Sequence, residues 1–301
     1  MRFSLPCLLL LLALAGCSPH AYERVPLALG LPYASRTVTD SQVVIEKDGH
    51  TFVFNRGKRH ASIDGVLYYL HEPAGMETLN AQDAQILRLA VVEAPPVLPE
   101  SLTILLDPGH GGTDTGCRHE TLHEKSIALE VAQETARRLR GAGHTVLMTR
   151  TSDSTTLSLS DRTALAARQP VHAFVSIHVN SAANADAKGA ETYTIPAPGC
   201  EGTNANSPPR GPMAGQRHIA QATRLALSVQ RALGGVEAAP VDRGVKHAHF
   251  KVLRDATAPS ILVEIGFVTN EEDRGRMADP KRKAELGAAI AEGILAAFQS
   301  P

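Results

Sequence analysis

The stretch Leu102-Thr-Ile-Leu-Leu-Asp-Pro-Gly-His-Gly-Gly112 decides how the rest of the chain is read. Thr103 to Leu106 is a short, continuous apolar and β-branched run, the pattern of a central strand covered on both faces. Asp107-Pro108-Gly109 stops that strand, because proline has no ladder donor and glycine admits positive φ. His110 is thereby placed at the carboxyl end of a buried strand, where open α/β sheets hold their ligands. Taken alone, the same residues also describe a surface loop with an incidental histidine.

Two later stretches add to it. Glu124 opens a helical segment, and His178 ends a second buried strand, Phe174-Val-Ser-Ile-His-Val-Asn180. Two imidazoles and one carboxylate form a recurrent catalytic zinc set with one open position, so His110, Glu124 and His178 are candidate ligands. Their summed charge with Zn²⁺ is about +1, which favours an acidic bound water and a polarised carbonyl. His119 and His123 flank Glu124 and compete with it as ligands. Glu264 lies in the apolar run Ile261-Leu-Val-Glu-Ile265. A carboxylate there needs a partner, such as Arg243 or Arg254, or a function, because burying it unpaired is costly.

Outward from these motifs, strand and helix patterns alternate. Strands are expected at Thr145–Thr149, His172–Ile177, Ala190–Ile195, Phe250–Leu253 and Ile261–Ile265. Helices are expected at Glu124–Arg140, Leu159–Arg168, Gln216–Leu233 and Pro280–Phe298. This order predicts an α/β fold, a mainly parallel twisted sheet with helices on both faces, over residues 101–301. Pro196 to Gly215 is poor in apolar residues and reads as a long surface loop. Residues 94–100 are a proline-rich linker. Before it, residues 36–93 read as a small α+β domain. Two hairpin patterns there turn at Asp48-Gly49 and Asp64-Gly65 and precede a short helix at Asn80–Leu89. His50, His60 and His71 are read as surface histidines.

The chain has 301 residues, a formal net charge of −1 and 43% hydrophobic residues, which gives no electrostatic footprint for nucleic acid. Aromatic residues are only 4% and tryptophan is absent, so a sugar-stacking platform is not expected. Residues 1–16 have the pattern of a signal peptide: Arg2, then an apolar core from Leu8 to Ala15 that is too short to span a bilayer. Leu14-Ala-Gly-Cys17 resembles the bacterial lipoprotein signal. That resemblance implies lipidation of Cys17 and, with Ser18 following, the periplasmic side of the outer membrane; the polar, proline-containing stretch that follows reads as a tether, residues 17–35. An ordinary signal peptide cleaved nearby is the alternative. Cys117 and Cys200 would then remain in an oxidising compartment, where a disulfide between them is possible.

The segments Leu105-Leu-Asp-Pro-Gly-His-Gly-Gly112, His123-Glu-Lys125, Phe174–Asn180, Arg243-Gly-Val245, Phe250–Arg254 and Leu262–Phe267 together resemble the zinc-dependent N-acetylmuramoyl-L-alanine amidases typified by the bacterial cell-separation enzymes. The resemblance runs from about Leu102 to Ala297. It implies that Glu124, rather than His119 or His123, completes the ligand set. It implies that Glu264 is the general base and that the substrate is the amide between N-acetylmuramic acid and L-alanine in peptidoglycan. Asp107 would accept a hydrogen bond from a ligand imidazole or cap its turn. Asn180 would touch substrate or brace its loop, and Arg150 and Arg162 would brace the fold. A zinc peptidase acting within the stem peptide, or an inactive wall-associated scaffold, are the rival readings. The need for an activator protein stays open.

Overall fold

The computed structural model describes residues 22–24, 29–31, 34–75, 78–94, 99–203, 211–237 and 239–299. The leader, residues 1–16, and Cys17 lie outside them. Strands β1 to β15 are Tyr22–Arg24, Ser35–Val38, Gln42–Lys47, His50–Asn55, His60–Ile63, Val66–Tyr69, Thr78–Asn80, Thr103–Pro108, Arg118–His119, Leu122–His123, Thr145–Met148, Ala173–Asn180, Ala190–Thr194, Asp242–His247 and Ser260–Phe267. Helices α1 to α7 are Ala81–Leu87, Glu124–Gly141, Leu159–Arg168, Ile219–Gly234, Lys251–Arg254, Glu271–Ala278 and Pro280–Phe298.

An eleven-stranded sheet runs in the order β11-β8-β12-β15-β13-β14-β6-β5-β4-β3-β2. The first four of these strands are parallel, and β13 enters antiparallel to β15. Side-chain alternation divides the two faces. Ile104 and Leu106 of β8, Val175 and Ile177 of β12, and Ile261 and Val263 of β15 join the core beneath α2, α4 and α7. Leu105, Phe174 and Leu262 point the other way, into a smaller core with Ala166 of α3 and Val252 and Leu253 of α5. The expected α/β fold with helices on both faces is therefore present. Ser158 caps α3 in a capping box with Asp161, and Asn270 caps α6. No described helix is long and apolar enough to cross a membrane.

Four expectations need correction. Phe250–Leu253 is not a strand: Phe250 is the N-cap of the one-turn helix α5. A short apolar run does not distinguish the two structures. The segment after β13 is not all surface loop, since Ala197 and Cys200 are buried against Ile86 of the N-terminal region. His71 is not a surface residue but is 4% exposed, held by Asp83. The stretch read as a tether, 17–35, pairs Tyr22–Arg24 with β7 and buries Leu29 and Leu31.

The two Asp-Gly turns form as expected, with Asp48, Gly49, Asp64 and Gly65 all at positive φ. The strands they connect do not stand apart from the main sheet. Strand β6 lies parallel to β14, with Val245 opposite Tyr68. Asp242 Oδ2 accepts from Leu67 N at 3.0 Å, and the His247 ring bonds Tyr69 O at 2.8 Å. His247 is fully buried and stacks on His71 with ring centroids 4.1 Å apart. Ala197 N donates to His71 Nε2, so the proton of that ring sits on Nδ1, facing Asp83 at 2.6 Å.

Candidate active site

The carboxyl ends of β8 and β12 and the start of α2 meet at one point. His110 follows β8 directly and adopts φ 58°, a left-handed conformation that a non-glycine residue holds only when its surroundings enforce it. The enforcing groups are two buried arginines. Arg150 donates to the carbonyls of Pro108, Gly109 and Lys125 at 3.0, 2.7 and 2.6 Å. Arg162 donates to Pro108 O at 2.8 Å and His110 O at 2.6 Å. These charge-assisted bonds tie the carbonyls at the end of the strand to the first turn of α2.

The three candidate ligands converge. One ligand atom each from His110, Glu124 and His178 lies within 4.8 Å of the others. Glu124 Oε1 is 3.1 Å from His110 Nε2 and 2.8 Å from His178 Nδ1. It also accepts from Val179 N at 3.1 Å, while Oε2 accepts from Cys117 N at 2.8 Å. Burial pushes the Glu124 carboxyl up, but bonds from the two imidazoles outweigh that and hold it well below the usual carboxylate range. The carboxylate is thus kept charged and pre-aimed. Glycines make the room: a Cβ on Gly109 would sit 2.4 Å from His178 Cε1, and one on Gly116 would sit 2.4 Å from Glu124 Oε2. The donor set, two imidazoles and one ionised carboxylate, fits Zn²⁺.

Asp107 does not support an imidazole. It is buried and accepts from Arg162 Nη1 at 2.7 Å, Thr149 Oγ1 at 2.7 Å and Ser176 Oγ at 2.8 Å. The imidazole partner is Asp114, whose Oδ2 lies 2.7 Å from His110 Nδ1 and leaves Nε2 facing Glu124. Asn180 braces rather than reaches outward, donating to Glu191 Oε1 at 3.0 Å. Cys117 and Cys200 form no disulfide. The Cys117 thiol faces Val179 O at 3.1 Å, whereas that of Cys200 faces Gln82 Oε1 at 2.9 Å. The two loops thus point their thiols into different parts of the core, which overturns the possible bridge.

Glu264 is the register partner of His178 on one side and of Glu191 on the other, so all three stand on the same face. Its Oε2 is sealed from solvent with no hydrogen-bond partner among the described residues. Arg243, a candidate ion-pair partner, bonds Glu191 instead, at 2.7 Å. Lys246 joins it on the same oxygen at 2.5 Å, and Tyr193 OH donates to Glu191 Oε1 at 2.6 Å. Burial would raise Glu191, yet Lys246, Tyr193 and Arg243 together hold it low. Glu264 receives no such help. Burial, then the charges of Glu124 and Glu191, push it well above the usual carboxylate range. A carboxyl of this kind, beside a candidate metal-binding set, is suited to carry a proton. Asp114 and Glu191 were not singled out in the sequence; only the Asp114–His110 spacing of four residues hinted at the first.

The N-acetylmuramoyl-L-alanine amidase family profile matches residues 104–296. The chain is 34% identical over 195 residues to the uncharacterized protein YqiI of Bacillus subtilis, covering 65% of this chain and 84% of that one. It is 31% identical over 204 residues to N-acetylmuramoyl-L-alanine amidase LytC of the same organism, covering 68% of this chain but 36% of LytC. Among solved structures, amidase AmiC2 of Nostoc punctiforme superposes with a TM-score of 0.55 at 32% identity, over 65% of this chain and 96% of that one. Motif, site geometry and overall likeness coincide over the same residues, and the chain belongs to the N-acetylmuramoyl-L-alanine amidase family.

Proposed function

We propose that this protein is a zinc-dependent hydrolase of the amide bond joining N-acetylmuramic acid to L-alanine in peptidoglycan. The observation that carries the reading is the juxtaposition of His110, Glu124 and His178 with Glu264, whose Oε2 has no hydrogen-bond partner among the described residues. His110, Glu124 and His178 would hold the ion. When bound, Zn²⁺ supplies Lewis acidity and lowers the pKa of a water toward ~7. Glu264 Oε2 then accepts the proton of the water that attacks the amide carbonyl and passes it to the departing nitrogen. Asp114 fixes the tautomer of His110, and Arg150 and Arg162 hold its loop.

Lipidation of Cys17, and with it residence in the envelope on the periplasmic side of the outer membrane, belongs to the same proposal and rests on Leu14-Ala-Gly-Cys17. Residues 36–93 then serve as a spacer or interaction module between anchor and site.

Mass spectrometry of digested peptidoglycan tests the reading. Intact stem peptides with L-alanine amino termini are expected, and their release should stop on chelation and resume with Zn²⁺. Cuts inside the stem peptide, or full activity after complete metal removal, would overturn it.

A further inference from the structure

Across the sheet, four adjacent strands present a row of ionisable groups on the face that carries the site: His178 on β12, Glu264 on β15, Glu191 on β13, then Arg243 and Lys246 on β14. The charges in this row do not balance pair by pair. Glu191 is one carboxylate facing two cations. Lys246 is 9% exposed, bonds Glu191 Oε2 at 2.5 Å and lies over the Tyr69 ring, so it serves as the internal counter-ion. Arg243 differs. Its side chain is 31% exposed, and only Nε is used, toward Glu191. Its two terminal nitrogens make no hydrogen bond among the described residues. The guanidinium plane is nonetheless fixed, with Cζ 4.7 Å from the centroid of the Phe267 ring, three residues beyond Glu264 on the same strand.

A guanidinium held in place at one nitrogen and across its face, with its outer fork open, is built to receive a planar oxyanion by two parallel hydrogen bonds. From this geometry we infer that Arg243 is a specificity-determining residue that binds a substrate carboxylate on the leaving-amine side of the scissile bond. The inference rests on the amidase reading above. Neighbouring strands are ~4.8 Å apart, so the fork lies about one to two strand spacings from Glu264. One residue of an extended peptide spans ~3.4 Å. A carboxylate on the residue after the alanine is therefore within reach when the amide sits beside Glu264. A carboxamide at the same place would put an N–H₂ donor against a donor-only fork. The neighbouring cation of the row, Lys246, is committed to Glu191.

The test compares two preparations of purified peptidoglycan that differ only in that residue, one with the free carboxylate and one with the carboxamide. The zinc-loaded wild-type enzyme should favour the carboxylate form by ~10–100-fold in kcat/KM, mainly through KM, the worth of a charge-assisted hydrogen-bond pair. Arg243→Gln should bring the two forms to within about twofold, with zinc content unchanged, and Arg243→Lys should restore part of the preference. Equal rates on both forms with the wild-type enzyme would overturn the inference and leave the amidase reading intact. So would an Arg243→Gln variant that slows both forms alike and keeps the preference, which would reduce Arg243 to a support for Glu191. Release of L-alanine amino termini from neither form would overturn the amidase reading, and this inference with it.

Discussion

His178 and Glu264 are register partners on neighbouring parallel strands, so a proposed metal ligand and a proposed proton carrier are fixed side by side by the sheet itself. No loop has to close to bring them together. Positions on strands are held more tightly than positions on loops, and the productive geometry is set when the strands pair.

Replacing Glu264 by Gln should leave zinc binding intact and lower turnover by ~10²–10⁴-fold. The pH dependence has a defined sign. Burial and two neighbouring carboxylates raise this group, so the metal-free folded protein holds its proton more tightly than the unfolded chain does. Its contribution to stability is complete below the unfolded value of ~4.3 and is lost as pH rises toward the folded one. Metal-free Glu264→Gln, which cannot lose that proton, should melt higher than metal-free wild type at neutral pH and match it near pH ~4. A zinc-loaded variant with near-wild-type turnover would exclude Glu264 as the base.

Asp114 should matter chiefly through the orientation of His110. Truncating it to Ala removes the 2.7 Å bond that fixes His110 Nδ1, and loss of such a support weakens metal affinity by ~10–100-fold. Competition with a chromophoric chelator measures this directly. An unchanged affinity would show that His110 is oriented by the Arg162 and Arg150 clamp without Asp114.

Gly109→Ala tests whether space is the limiting resource. The new methyl would fall 2.4 Å from His178 Cε1 and 2.6 Å from both ring nitrogens. The ring must move, so the variant should fold, lose most of its zinc and lose activity in parallel. Normal zinc content by atomic absorption would show that the His178 ring has slack.

His247 should set part of the acid limb of stability. Burial is the main cause that holds it well below its ordinary pKa, and the stacked His71 ring adds to it. A depressed pKa means the unfolded chain binds the proton better, so the contribution is present above ~6.5 and is lost as pH falls below that. His247→Gln, which titrates nowhere in this range, should show a smaller drop in urea midpoint between pH 7.5 and pH 5 than wild type. An equal drop would assign the acid limb to other groups.

How much of this was legible in the sequence depends on how local each signal is. His110 and His178 announce themselves because each ends an apolar run, and strand ends are where such sheets bind. Helices α2 and α7 follow from long periodic stretches. Arg150 and Arg162 lie 40 or more residues from the loop they clamp, and their targets are backbone carbonyls, which no side-chain pattern reveals. Glu191, in Ala190-Glu-Thr-Tyr-Thr194, reads as an ordinary half-exposed strand residue until the register opposite Glu264 is known. The disulfide failed for a related reason: two loops at one end of a sheet still need their Cβ vectors to face each other. His71 reads as a surface histidine because its partner Asp83 is twelve residues away on another element, which no local pattern reveals.

The pairing of β6 with β14 bears on solubility. The family match begins at residue 104, so β1 to β7 lie outside it, yet β2 to β6 continue the catalytic sheet beyond β14. Without them, β14 would present bare backbone donors and acceptors beside the fully buried Val245. Such a border is a template on which other chains add strands. The N-terminal strands move that hazard outward to β2, a four-residue strand exposed along its length and carrying Arg36. Short, charged, solvent-facing strands are poor seeds for aggregation, so the segment acts as a built-in guard against self-association.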